Sequence, residues 1–130
     1  MNKKDIRKKF REDVFKRDKY TCKVCGFRNE SNPDHFNAHH IIDRSLMPLG
    51  GYVKENGITV CEEVCHMKCE RYHITNGKEH EDGLSPDDLY KIIQTTNAQS
   101  IEKVKINKEL LKVMTLRQFG FVQKEEEAKK

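Results

Sequence analysis

The residues of this chain best suited to chemistry are its cysteines and a set of histidines lying among them. Cys22-x-x-Cys25 and Cys61-x-x-x-Cys65 form two pairs of thiols. Four thiolates in two separated pairs suit a tetrahedral zinc ion that closes both turns onto one centre. The odd total of five cysteines speaks against a disulfide framework, and clustered cysteines in a reducing compartment bind metal more often than they pair. The plainer alternative is that they are small buried apolar residues. Cys69 repeats the spacing of Cys65 along a helix and would either replace Cys61 or remain a spare thiol.

Between and beside these pairs stand His39-His40, Asn56 and His66. A stretch of 35 residues separates Cys25 from Cys61, so a shared zinc would pin it as a loop at both ends. The strand carrying His39 and His40 would then lie near the helix carrying His66. Two imidazoles from different segments can share a divalent ion while a third serves as a base. Any one of these histidines alone would more simply be a hydrogen-bonded structural residue. Asn56-Gly57 also reads as an ordinary turn. Glu70 and His73 fall on the helix face of His66 and could complete a metal shell, although solvated helix residues are the simpler expectation. Arg44 is a candidate phosphate contact or a surface ion pair. His35 and His80 receive no role.

The elements that must hold these groups are readable from periodicity and punctuation. Ile6, Phe10 and Val14 recur every four residues among Lys and Arg, which predicts an amphipathic helix over residues 3–17. Residues 20–26 form a tight turn around the first thiol pair, and 28–37 a polar loop. Strands are expected at 38–42 and 58–60, separated by a loop rich in Gly and Pro, and a helix from 62 to about 72. Neighbouring residues of a regular strand face opposite ways, so the His39-His40 dyad is expected where the strand bends. Ser85-Pro86-Asp87-Asp88 starts a further helix. Another runs from about 107 to Phe119, and the tail from Lys124 to Lys130 is expected to fray.

A chain of 130 residues is the size of one compact domain, here divided into a core over 1–80 and a helical extension over 81–130. Hydrophobic and charged residues each make up 35%, so the core is small, and ligation energy from zinc would help to hold it. No apolar run is long enough to span a bilayer, and Met1-Asn-Lys-Lys-Asp5 lacks a signal peptide's apolar stretch, so a cytoplasmic protein with no membrane partner is expected. Residues 1–20 hold nine Lys or Arg against four acids, more positive charge than the +4 of the whole chain. That is either a footprint for a polyanion or a solvated helix face.

Taken in order, these residues resemble the HNH endonuclease family. The likeness lies in Ala38-His39-His40-Ile41-Ile42, in Asn56-Gly-Ile-Thr-Val-Cys61 and in Cys65-His66, with thiol pairs like those of its zinc-stabilised branch. The lead-in Arg17-Asp18-x-Tyr20-x-Cys22-x-x-Cys25-Gly26 is also similar, and Gly50–Ile58 looks most like small phage-type members. The likeness spans about residues 10–75. It implies an α+β fold with a ββα-metal (His-Me finger) core, a four-cysteine zinc site, a basic N-terminal helix and two C-terminal helices. It implies a metal-dependent DNA endonuclease or nickase that leaves a 5′-phosphate and a 3′-hydroxyl. His39 and His66 would bind one divalent cation (Mg²⁺, Mn²⁺ or another), His40 would be the general base, and Asn56 would orient the dyad. Cys22, Cys25, Cys61 and Cys65 would bind structural zinc.

With such a site, Lys8, Lys9, Arg11, Arg17 and Arg44 would contact the phosphates of DNA, taken as double-stranded, without reading sequence. If phage-encoded, the protein would work in the host cytoplasm. Two other functions fit the same residues: a non-catalytic zinc-ribbon module that binds nucleic acid, and an accessory component of a phage DNA-packaging machine.

Overall fold

Ile6, Phe10, Val14 and Phe15 are buried along one side of α1 (Lys3–Arg17), while its Lys and Arg residues point mostly to solvent. The computed structural model describes residues 2–118, with side chains through residue 114. Asn2 caps α1 by accepting from the Asp5 N–H, and Asp5 returns the bond to the Asn2 N–H. At its other end, Lys19 and Tyr20 take left-handed backbone angles, which turn the chain sharply into the first thiol pair.

The hairpin of β1 (Phe36–His40) and β2 (Gly57–Cys61) is antiparallel, pairing Phe36 with Cys61 and His40 with Gly57. Side chains alternate as a strand requires. Phe36 meets Phe15 and His40 stacks on Phe10, both on α1. Asn37 and His39 instead reach α2 (Cys65–Ile74), so the hairpin lies between the two helices. Gly57 permits the approach of α1: a Cβ there would stand 2.5 Å from Val14 Cγ2 and 2.7 Å from Phe10 Cζ. Arg17 and Asp18 fasten the joint. Arg17 donates to the carbonyls of Lys54 and Gly57 and to the Asp18 carboxylate, which accepts the Thr59 N–H at 2.9 Å.

β1 begins and ends two residues earlier than expected. The reason is Asn56: Ile42 exchanges hydrogen bonds with its side-chain amide instead of with a strand, so the chain bends after His40. α2 begins at Cys65 because residues 62–64 form a turn, and ends where Asn76 and Gly77 adopt left-handed angles.

Both expected C-terminal helices are present. Ser85 caps α3 (Pro86–Ile92) in a reciprocal box with Asp88, and α5 spans Lys108–Gln118. A further helix, α4 (Asn97–Ile106), lies between them and buries only Ser100 and Val104. Phe119 and the tail 124–130 lie outside the described residues. Leu89, Tyr90, Val104, Leu110 and Met114 join the same apolar cluster as α1 and the hairpin. No described helix is long and apolar enough to cross a membrane.

Candidate functional site

The turn after α1, the end of β2 and the start of α2 bring Cys22, Cys25, Cys61 and Cys65 together, with their sulfurs all within 4.8 Å of one another. Zn–S bonds of about 2.3 Å put the sulfurs of a tetrahedron roughly 3.8 Å apart, so the quartet fits a zinc ion after small shifts, with Cys25 and Cys61, now 3.3 Å apart, opening slightly. Burial opposes ionisation of Cys22, but the backbone N–H groups of Cys25, Val24 and Cys61 outweigh it and bring the thiol down to about 7. Cys61 and Cys65 are pushed the other way, Cys65 to about 11, first by burial and then by the shared sulfur contacts. The group therefore suits a cation that takes up the charge of several thiolates at once. Cys69 is outside this quartet, buried, and its thiol is raised to about 12 by desolvation.

A second donor set lies where β1 meets α2. Glu70 Oε1 accepts from His39 Nδ1 at 3.1 Å and from His66 Nε2 at 3.2 Å. The three ligand atoms lie within 4.8 Å of one another, an arrangement of two imidazoles and a carboxylate that suits a divalent cation. These same hydrogen bonds, with the charge attraction behind them, hold the Glu70 carboxyl well below the usual carboxylate range. Asn37 reaches His66 Nδ1 at 3.3 Å, and with its carbamoyl oxygen turned inward it would accept Nδ1–H and leave Nε2 free to ligate. The expectation that Glu70 and His73 are solvated helix residues is corrected: Glu70 ties the two histidines together. His73 stacks on His39 with ring centres 5.1 Å apart and donates Nε2–H to the His40 carbonyl at 2.8 Å.

His40 occupies the other face of β1. Its ring stacks on Phe10 (centroids 4.6 Å apart) and meets Tyr52 edge-on at 5.0 Å. Its Nε2 is buried without a hydrogen-bond partner among the described residues. Burial, helped by the charges of Arg44 and His39, lowers its pKa to about 4, so the ring is neutral near pH 7. The dyad thus occupies the last two residues of a regular strand and divides across its faces. Both rings still line one cleft of about 300 Å³, walled by Arg7, Phe10 and Arg11 of α1 and by His66 and Glu70 of α2.

Asn56 is fully buried under this corner. Its side chain accepts the Ile42 N–H at 3.0 Å and donates to the Ile42 carbonyl at 3.1 Å, while its own carbonyl accepts the Ile41 N–H. It therefore clamps the two residues that follow the dyad.

The basic residues are placed unequally. Arg44 and Arg11 line the cleft, with Arg44 donating to the Tyr52 hydroxyl and Arg11 to the Pro33 carbonyl and Asp34. Lys8 is exposed. Lys9 pairs with Asp13 and lines a separate hollow of about 680 Å³ between α1 and the α4–α5 junction, where acidic and basic groups are mixed. Arg17 is turned inward onto two carbonyls and Asp18, unlike the phosphate contact expected of it. Arg7 was not singled out in the sequence, yet it lines the cleft. Lys3, Arg7 and Arg11 share one side of α1 at four-residue spacing, the available signal for it.

Residues 22–72 match the family model described as HNH endonuclease. No curated protein and no solved structure matches the chain. The matched segment runs from the first thiol through the hairpin to α2, so it contains both donor sets, His40 and Asn56. Residues 22–72 are thus similar to the HNH endonuclease family, and a nuclease-type, metal-dependent function in general is supported by that match.

Proposed function

We propose that this protein is a metal-dependent DNA endonuclease or nickase that hydrolyses phosphodiester bonds in the cleft between α1 and α2. The observation that carries this is the convergence of His39, His66 and Glu70 beside His40, a buried imidazole with an unpartnered Nε2. A divalent cation such as Mg²⁺ or Mn²⁺, held by those three, would supply Lewis-acid stabilisation of the charge that develops on the phosphate and the leaving oxygen. His40 is neutral and takes the proton of the attacking water at Nε2. Phe10 and Tyr52 fix its ring, and Asn56 fixes the backbone behind it. Cys22, Cys25, Cys61 and Cys65 hold a structural zinc that ties the start of the domain to α2.

Double-stranded DNA is the substrate, bound through its phosphates. Lys3, Arg7 and Arg11 rise about 6 Å apart along α1, comparable with the spacing of successive phosphates on one strand. Arg44 faces them from the loop after β1. The test is relaxation of supercoiled plasmid by the purified, zinc-loaded protein. Nicked or linear product with Mg²⁺ or Mn²⁺, stopped by EDTA, is expected. Absence of cleavage with Mg²⁺, Mn²⁺ and Ni²⁺ alike would leave a non-catalytic zinc-ribbon module as the better account.

A further inference from the structure

Tyr90 lies on α3, outside the segment matched by the family model, yet it is 3% exposed and its hydroxyl donates to Asn56 Oδ1 at 2.8 Å. A side-chain amide can accept two hydrogen bonds at oxygen and donate two from nitrogen. All four of those at Asn56 are used. Its oxygen takes Ile42 N–H and the Tyr90 hydroxyl, and its nitrogen gives to the carbonyls of Ile42 and Gly51. Beside it, Ser100 on α4 is fully buried and donates to the Glu55 carbonyl at 2.7 Å. Helices α3 and α4 thus grip consecutive residues of the loop that holds the dyad.

A buried hydroxyl is costly unless bonded, and a phenylalanine would fill the same space. The oxygen of Tyr90 is therefore more than packing requires. We propose that Tyr90 is a positioning residue for phosphodiester cleavage: by completing the hydrogen bonds of Asn56, it fixes the Ile41–Ile42 backbone and through it His40. The proposal rests on the nuclease reading above. It adds the Tyr90 hydroxyl to the groups that orient the dyad, because without it one acceptor position of Asn56 would be unfilled and its amide held by three hydrogen bonds instead of four.

Tyr90→Phe removes the oxygen alone. In the full chain, loaded with zinc and assayed on supercoiled plasmid, kcat should fall roughly three- to tenfold with KM unchanged, the effect of one buried hydrogen bond. Hydrogen exchange at the Ile42 N–H should quicken by a similar factor. Leu89→Ala, a core truncation on the same helix, separates positioning from stability: assayed well below its melting temperature, it should keep the wild-type kcat. An unchanged kcat in Tyr90→Phe, or an equal fall in Leu89→Ala, overturns the proposal. A wild-type protein that cuts nothing is a failure of the nuclease reading instead. Ile42 exchange then decides the remaining step, and unaltered exchange in Tyr90→Phe overturns it.

Discussion

His39 and Glu70 stand 3.1 Å apart, although they lie 31 positions apart in sequence, and the same carboxylate oxygen also takes the ring of His66. This oxygen joins the strand to the helix and supplies a negative charge that imidazole ligands alone do not bring to a cation site. Glu70→Gln keeps the shape and removes the charge. The affinity of the cleft for Mn²⁺ should fall at least about tenfold, with a matching rise in the metal needed for nicking. Calorimetric titration of the zinc-loaded protein checks it; an unchanged affinity would exclude Glu70 as a ligand.

His40 touches Phe10 and Tyr52 and leaves Nε2 unpartnered, so its removal should separate chemistry from binding. His40→Ala should slow cleavage by about 10²- to 10⁴-fold, the usual contribution of a positioned base. Plasmid affinity, measured by filter binding, should change less than about twofold, because no phosphate contact is lost. The lost aromatic contacts should cost roughly 1 kcal/mol of stability, read from thermal unfolding.

Some of this arrangement is legible in the sequence alone, and the division has physical causes. The four-residue period of Ile6, Phe10 and Val14 marks α1, and Ser85-Pro86 marks the start of α3, because each signal is local. The thiol quartet and the convergence of His39 with His66 were readable because the four cysteines force distant segments together. Glu70 was obscured: an acid four residues from a histidine on a charged helix looks the same whether it faces solvent or a cleft. The strand bounds differ from the expected 38–42 because Ile41 and Ile42 have strand-like side chains, while the partner of Ile42 is the amide of Asn56. Helix α4 buries only Ser100 and Val104, too narrow a stripe to stand out. The inward turn of Arg17 depends on two carbonyls 37 and 40 residues away in sequence, beyond any local pattern.

The thiol quartet makes a clear demand on stability. Structural zinc contributes apparent ligation energies of about 10–16 kcal/mol, as much as a small domain's whole stability of about 5–15 kcal/mol. Purified protein should hold stoichiometric zinc, and Cys22→Ser should lose it and unfold by circular dichroism. Cys69→Ser should keep the metal, because that thiol is outside the quartet. Loss of zinc from Cys69→Ser with retention in Cys22→Ser would reverse the ligand assignment.

Gly57 is constrained by a neighbour, not by its own backbone angles, which any residue could adopt. A methyl group there would press into Val14 and Phe10 and should cost about 1–3 kcal/mol. Phe10 carries the stack under His40, so the same Gly57→Ala variant should lose cleavage rate as well as melting temperature. Val14→Ala in the same background opens space and should restore part of both. If it restores neither, the close approach of α1 to β2 is not the cause.

The side of α1 that meets DNA can be distinguished by salt. Each phosphate neutralised by a basic side chain adds nearly one unit to the slope of log affinity against log salt. Arg7 lines the cleft, whereas Lys9 is paired with Asp13 and lines the hollow on the α4–α5 side. Arg7→Ala should therefore weaken plasmid binding equally across sequences and lower the slope by about one. Lys9→Ala should leave the slope as it was, because Lys9 does not face the bound strand. The opposite pattern, with Lys9 dominant, would move the nucleic acid to the hollow beside α4 and α5 and separate binding from the histidine cleft.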